Sequence, residues 1–266
     1  MFKNYTFGFH IGNLTDALFF TPLFKGGNPL NLSLEIIDVE VARDKAVLFN
    51  GLGNVSLSKN PSPLLPQNNN VHISQHYLDF LERSDVNYLP LVLVTEEEKE
   101  WARDFLKSYD NPIIYSPNNS CSWDKTNLFA QMRTFTDEMN SIIVKELSQK
   151  YTILQFGVNN KFYQNMRSEI YQYDNVINIE NLDLRKLAAC YSVIGKGFCS
   201  DTGNPYLMLA VGGKIIELVP MYNENIYKYW RYVYIDESLW KGEEIRAKYF
   251  CMTNWKESLK YINFDF

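Results

Sequence analysis

The stretch Phe198-Cys199-Ser200-Asp201-Thr202-Gly203-Asn204-Pro205-Tyr206-Leu207 constrains the fold more than any other part of this chain. A strand-like segment, residues 191–194 and then Phe198, runs into Asp-Thr-Gly. Residues 205–211 read as a helix, because proline is well tolerated in a first helical turn. That order places the backbone N–H groups of Thr202, Gly203 and Asn204 near an open helix N-terminus, where unsatisfied donors and the helix dipole attract anions. Gly203 permits close backbone approach, and Asp201 offers a carboxylate to sugar hydroxyls. Ile215-Ile216-Glu217-Leu218-Val219-Pro220 follows as a buried strand ending in a turn. Strand, anion-binding turn, helix and strand describe half of a nucleotide-sugar site.

The chain has 266 residues, enough for one large domain or two compact ones. Its hydrophobic fraction of 46% is that of a folded globular protein. No segment approaches the roughly 18 uninterrupted apolar residues of a membrane span. Met1-Phe2-Lys3-Asn4-Tyr5 does not open a signal peptide, so a cytoplasmic location is expected. Cys121, Cys190, Cys199 and Cys251 lack any C-x-x-C spacing and read as reduced thiols. His72 and His76 are spaced i, i+4 but have no further ligand beside them, so neither a metal nor a cofactor is expected. A net charge of −5 argues against non-specific nucleic-acid binding, although Lys228, Arg231, Lys241, Arg246 and Lys248 could supply a local basic groove.

Along the chain, residues 5–11 alternate as a first strand and 16–25 are helical in pattern, closed by Gly26-Gly27-Asn28-Pro29. Residues 34–41 and 45–50 are candidate strands. Residues 54–70, rich in Asn, Ser and Pro, read as an exposed loop; 74–82 as a short helix; 90–94 as a strand. Thr95-Glu96-Glu97-Glu98 is a capping box that starts a helix. The domain boundary is drawn here, with residues 1–95 as an acceptor-side lobe and 96–266 as a nucleotide-sugar-binding lobe. The second half alternates: strand 112–115, helix 135–150, strand 151–156, helix 161–171, strand 176–179, helix 184–190. Such alternation predicts an α/β fold with parallel sheets and crossover helices, whose ligands bind beyond the carboxyl ends of the strands. Residues 255–262 form a final helix that can pack back on the first lobe.

Four constellations fall at strand ends. In Gly12-Asn13-Leu14-Thr15-Asp16, the acid in the first helical turn is either a general base or a complement to the helix dipole. Tyr115-Ser116-Pro117-Asn118 opens a polar loop ending in Lys125, which either meets a diphosphate or is solvated. Leu154-Gln155-Phe156-Gly157-Val158-Asn159-Asn160 is a strand entering a glycine turn that suits a base or ribose. The fourth is Asp201-Thr202-Gly203 with the turn Pro220-Met221-Tyr222-Asn223 after it.

Taken in this order, the motifs resemble those of the heptosyltransferase family of lipopolysaccharide synthesis, glycosyltransferase family 9. Thr15-Asp16-Ala17-Leu18-Phe19-Phe20-Thr21-Pro22 is similar to its N-terminal element, with Thr15 where the family usually has Gly. Lys125 resembles the lysine of its K-x-W-P loop, without the aromatic and the proline. The segment from Leu184 to Cys190, then Asp201-Thr202-Gly203, then Ala210-Val211-Gly212-Gly213 resembles its most recognisable part, with Tyr206 where the family usually has His.

The resemblance implies two Rossmann-like lobes facing a cleft, the GT-B architecture, with the N-terminal lobe reduced. It implies an inverting, metal-independent glycosyltransferase with a nucleotide-diphosphate sugar as donor and a hydroxyl acceptor on a glycan or a modified nucleobase. Asp16 would be the base and Lys125 would stabilise the leaving group. Asp201, Thr202 and Gly203 would bind the donor, Asn159 or Asn160 would read its ribose or base, and Asn118, Tyr206 and Tyr222 are further substrate-binding candidates; His76 either contacts the acceptor or packs as a surface histidine. Three other readings stay open: a phage-type enzyme acting on 5-hydroxymethylcytosine in DNA, a nucleotide-sugar epimerase or hydrolase, and a non-catalytic nucleotide-sugar binder. Neither sugar, acceptor nor oligomeric state is readable from the sequence.

Overall fold

The computed structural model describes residues 4–7, 18, 21–25, 31–35, 46–52, 54–58, 89–118, 131–157, 173–219, 244–252 and 254–266. The chain divides into two compact units, Met1–Leu93 with Tyr222–Ile245, and Val94–Met221 with Arg246–Phe266. Both described sheets are parallel throughout, as the strand–helix alternation predicts.

In the first unit, β1 (Asn4–Phe7), β2 (Asn31–Glu35) and β3 (Asn54–Ser58) pair in that order, with Tyr5 opposite Leu32 and Leu32 opposite Val55. β3 occupies the start of the stretch read as a loop. Its Asn54-Val55-Ser56-Leu57-Ser58 alternates with the period of a strand, which its Asn and Ser content concealed. Of the candidate strand at residues 45–50, the described residues 46–50 are not a strand. Val47–Phe49 form a 3-10 turn that buries the adjacent Leu48 and Phe49 together, which strand alternation cannot do on one face. Phe49 meets Phe24 edge-on at 5.7 Å. The far end of the helix expected over 16–25 is likewise a 3-10 turn, Thr21–Phe24. Residues 90–94 carry no strand either: Pro90 has no N–H, and the Leu91 N–H donates to the Thr21 hydroxyl at 2.7 Å.

The second unit holds six parallel strands: β4 (Pro112–Ser116), β5 (Thr152–Gly157), β6 (Val176–Glu180), β7 (Lys196–Ser200), β8 (Lys214–Val219) and β9 (Ala247–Cys251). Their spatial order is β6-β5-β4-β7-β8-β9. Sequence signals start the helices. Thr95 caps α1 (Glu96–Leu106), its hydroxyl accepting from the Glu98 N–H while Glu98 accepts from the Thr95 N–H. Thr136 caps α2 (Asp137–Leu147) and Asp183 caps α3 (Leu184–Ile194). Residues 191–194 thus extend a helix instead of opening a strand, because Leu184, Leu187, Ala188 and Tyr191 bury one helical face. Gly195, at φ 67°, ends it in the left-handed conformation that glycine adopts freely.

Alternation along the strands sorts two cores. Ile113, Tyr115, Phe198, Ile216 and Leu218 face Met139, Ile143, Val144 and Leu147 of α2. The opposite face carries Phe156, edge-on to Tyr191 of α3 at 5.6 Å, and Gly197, beside Met208 of α4 (Gly203–Ala210). Gly213 fits under Met208 because it has no Cβ; one there would lie 2.1 Å from the sulfur. The final helix, α5 (Trp255–Tyr261), belongs to this second unit. Trp255, Leu259, Phe264 and Phe266 pack on the α2-side core, with Phe264 stacked on Phe198 at 5.6 Å. Among the described residues, no helix is long and apolar enough to cross a membrane.

Candidate functional site

β4 is the first strand of its unit and lies in the middle of the sheet, with β5 and β6 on one side and β7, β8 and β9 on the other. The chain reverses its direction of travel between β4 and β7. In parallel sheets this reversal opens a crevice at the carboxyl ends of the two strands, where ligands bind. Ser116, Asn118, Arg133, Ser200, Asp201, Thr202 and Asn204, all buried, gather at these two strand ends and on the segments that leave them. Buried polar side chains are costly unless partnered, so their concentration at one place marks it as built.

The cluster closes on itself from β4 to α4. Thr202 is the N-cap of α4, its hydroxyl accepting from the Asn204 N–H at 3.2 Å. The Asn204 amide donates to the Ser116 hydroxyl at 2.6 Å, and that hydroxyl lies 3.4 Å from the Thr202 hydroxyl. The Asn204 N–H is therefore taken by its own cap and Pro205 has none. Of the three N–H groups expected to face an anion, at residues 202–204, the third is thus engaged within the turn. The Ser200 hydroxyl, fully buried at the end of β7, has no hydrogen-bond partner among the described residues.

Asp201 is placed differently from the sequence reading. Its carboxylate has no exposed surface and pairs with Arg133, Nε to Oδ2 at 2.6 Å and Nη2 to Oδ1 at 3.2 Å. The Arg133 Nε also donates to the Asp201 carbonyl at 3.0 Å. In this conformation the pairing with Arg133 ties Asp201 to the turn. Tyr206 is equally enclosed, within α4. Arg133 is the residue that sequence reasoning missed. The one available signal was indirect: a carboxylate in so apolar a neighbourhood as Phe198-Cys199-Ser200-Asp201 requires a buried cation.

Arg133 is held from both sides. The Phe135 N–H donates to the Pro117 carbonyl at 2.9 Å, tying its segment to the end of β4. The Phe135 ring enters the core edge-on to Phe198 at 6.1 Å. Asn118, a substrate-binding candidate, is buried one residue beyond Pro117. Asp16, His76, Lys125, Asn159, Asn160 and Tyr222 lie outside the described residues.

The two described free thiols, Cys190 and Cys199, are not activated. Burial, and then the Glu217 carboxyl, push the Cys199 thiol well above its ordinary range. Burial, with Asp183 adding to it, pushes Cys190 up to about 12. Both are free, buried and protonated at neutral pH. Among the described residues no group of three His, Cys, Asp or Glu could hold a metal ion. Arg246, read as part of a basic groove, donates to the Leu209 and Gly213 carbonyls beyond the C-terminal end of α4.

No family model matches the sequence, and no curated protein matches it. Solved structures do. A glycosyltransferase family 9 structure from Veillonella parvula DSM 2008 matches with a TM-score of 0.60 at 13% identity, over 99% of this chain and 91% of that one. The bacterial iron-containing dodecameric glycosyltransferase TibC from enterotoxigenic E. coli H10407 matches with a TM-score of 0.51 at 13% identity, over 85% of this chain and 61% of that one. This chain shares the α/β fold of these glycosyltransferases.

Proposed function

We propose that this protein transfers a sugar from a nucleoside-diphosphate donor to a hydroxyl acceptor, with inversion at the anomeric carbon and without a metal ion. The observation that carries this reading is the buried polar cluster at the switch point of the six-stranded sheet, beside the N-terminus of α4. The shared fold over nearly the whole chain supports it. The N–H groups of Thr202 and Gly203 and the α4 dipole receive the diphosphate, and Ser116, Asn118 and Thr202 shape the surface around it. Lys125 adds a positive charge where the leaving group gains a negative one, the task a divalent ion would otherwise perform. Asn159 or Asn160 reads the ribose or the base. Asp16 accepts the proton of the acceptor hydroxyl as its oxygen bonds to the anomeric carbon, and the diphosphate departs with the electron pair of the broken C–O bond.

A thermal-shift panel of nucleoside diphosphates and their sugars tests the binding half. A ligand at one hundred times its dissociation constant adds about 2.7 kcal/mol of stability. A panel in which no member shifts the melting temperature overturns the reading. Asp16→Asn tests the catalytic half: turnover falls on the order of 10²–10⁴-fold, while donor affinity changes by less than about 1 kcal/mol. Unchanged turnover in that variant would remove Asp16 as the base.

A further inference from the structure

We infer that Arg133 is the positioning residue of the anion site: it cancels the charge of Asp201 directly before the α4 N-cap and turns the Thr202 N–H away from itself. This rests on the reading of that turn as a diphosphate site. A helix N-terminus attracts anions, yet here a carboxylate stands one residue before the cap, where its bare charge would repel them. Arg133 answers with a planar fork on both carboxylate oxygens. Its third contact, to the Asp201 carbonyl, has a geometric consequence. The peptide between Asp201 and Thr202 is planar and trans, so its N–H points opposite to its C=O. With the carbonyl drawn to Arg133, the Thr202 N–H is directed away from it. Arginine suits this double task better than lysine, whose ammonium is a point charge without a fixed fork.

The test uses the full chain with inorganic pyrophosphate as the probe, at pH 8, by calorimetry, alongside the melting temperature of each variant. Wild type binds pyrophosphate; failure to bind it overturns the diphosphate reading itself, and this inference with it. Arg133→Met takes the guanidinium away from the carboxylate, and affinity falls on the order of tenfold or more. Asp201→Asn keeps an oxygen for Arg133 but removes the negative charge: the protein melts lower than wild type yet binds pyrophosphate at least as tightly. In Arg133→Met with Asp201→Asn, most of the lost affinity returns, because neither charge remains. A purely scaffolding role predicts instead that affinity follows melting temperature across the series. If Asp201→Asn binds more weakly than wild type, or the double variant stays as weak as Arg133→Met, the inference fails while the diphosphate reading stands. Should Arg133→Met not fold, the Asp201→Asn result alone decides.

Discussion

At the amino ends of the strands, Asn111 donates to the Lys150 carbonyl at 2.8 Å and accepts from Lys196, whose ammonium also lies 4.6 Å from the centre of the Tyr151 ring. Lys150 pairs there with Asp265. At the carboxyl ends of β4 and β7, hydroxyl, amide, carboxylate and guanidinium meet again, now enclosed. The chemistry is similar and the surroundings are opposite. At the amino end water competes for each group, so a broken contact is replaced at once. At the carboxyl end burial keeps bulk water from replacing a broken contact, so the paired groups depend on one another and the geometry is fixed in advance. A binding site needs the second condition; loop ends need only the first.

The largest expected effect is at the enclosed end. Asp201→Ala leaves the Arg133 charge buried without its carboxylate and should cost about 3–5 kcal/mol of stability, read from urea unfolding. A loss under 1 kcal/mol would mean that this end is as tolerant as the other, and the contrast would collapse. Ser116→Ala comes next, since it removes the hydroxyl that accepts from the Asn204 amide; about 1–3 kcal/mol should be lost.

Glu98 is the intermediate case. Burial raises its carboxyl, but the hydrogen bonds from Arg185 and Thr95 outweigh this and hold it below its ordinary value. A carboxylate depressed in the folded state stabilises the protein above its unfolded pKa, about 4.3, and loses that contribution as pH falls through the folded value. Glu98→Gln should therefore lower stability at pH 7 by about 1 kcal/mol, the scale of a half-exposed ion pair. Below about pH 4 its unfolding curve should converge on that of wild type. Curves that stay parallel through the acid range would show that the pair contributes no charge effect. Smallest of all, Lys150→Ala at the amino end should leave the unfolding midpoint unchanged within error, and a clear shift there would show that exposure is not what separates the two ends.

Much of the second unit was legible because its signals are local. The Thr95 to Glu98 box, the helical face from Leu184 to Tyr191 and the strand at Lys214–Val219 each declare themselves within a few residues. Errors arose where neighbours decide. Pro90 to Val94 looks extended in isolation, but the Leu91 N–H is claimed by Thr21, seventy positions earlier. Residues 45–50 carry β-formers whose burial in adjacent pairs requires a turn. In the site, the Asp201-Thr202-Gly203 turn was visible as a turn, while the role of its aspartate was not. That role is set by Arg133, sixty-eight positions away, and no spacing rule connects the two.

The stacking of Phe264 on Phe198 has a consequence for the order of events during synthesis. Phe198 belongs to a central strand, yet one face of it is covered by residues made some sixty positions later. Until residues 254–266 leave the ribosome, the α2 side of β7 stays partly open to water, and the turn it leads into has an unfinished support. Residues 222–245 meanwhile join the other unit, so each unit waits on the far part of the chain. Folding so dependent on distant pairs is slow and exposes apolar surface while it waits. Nascent chains stalled before residue 254 should therefore hold chaperones, and release should coincide with arrival of the segment that carries Phe264.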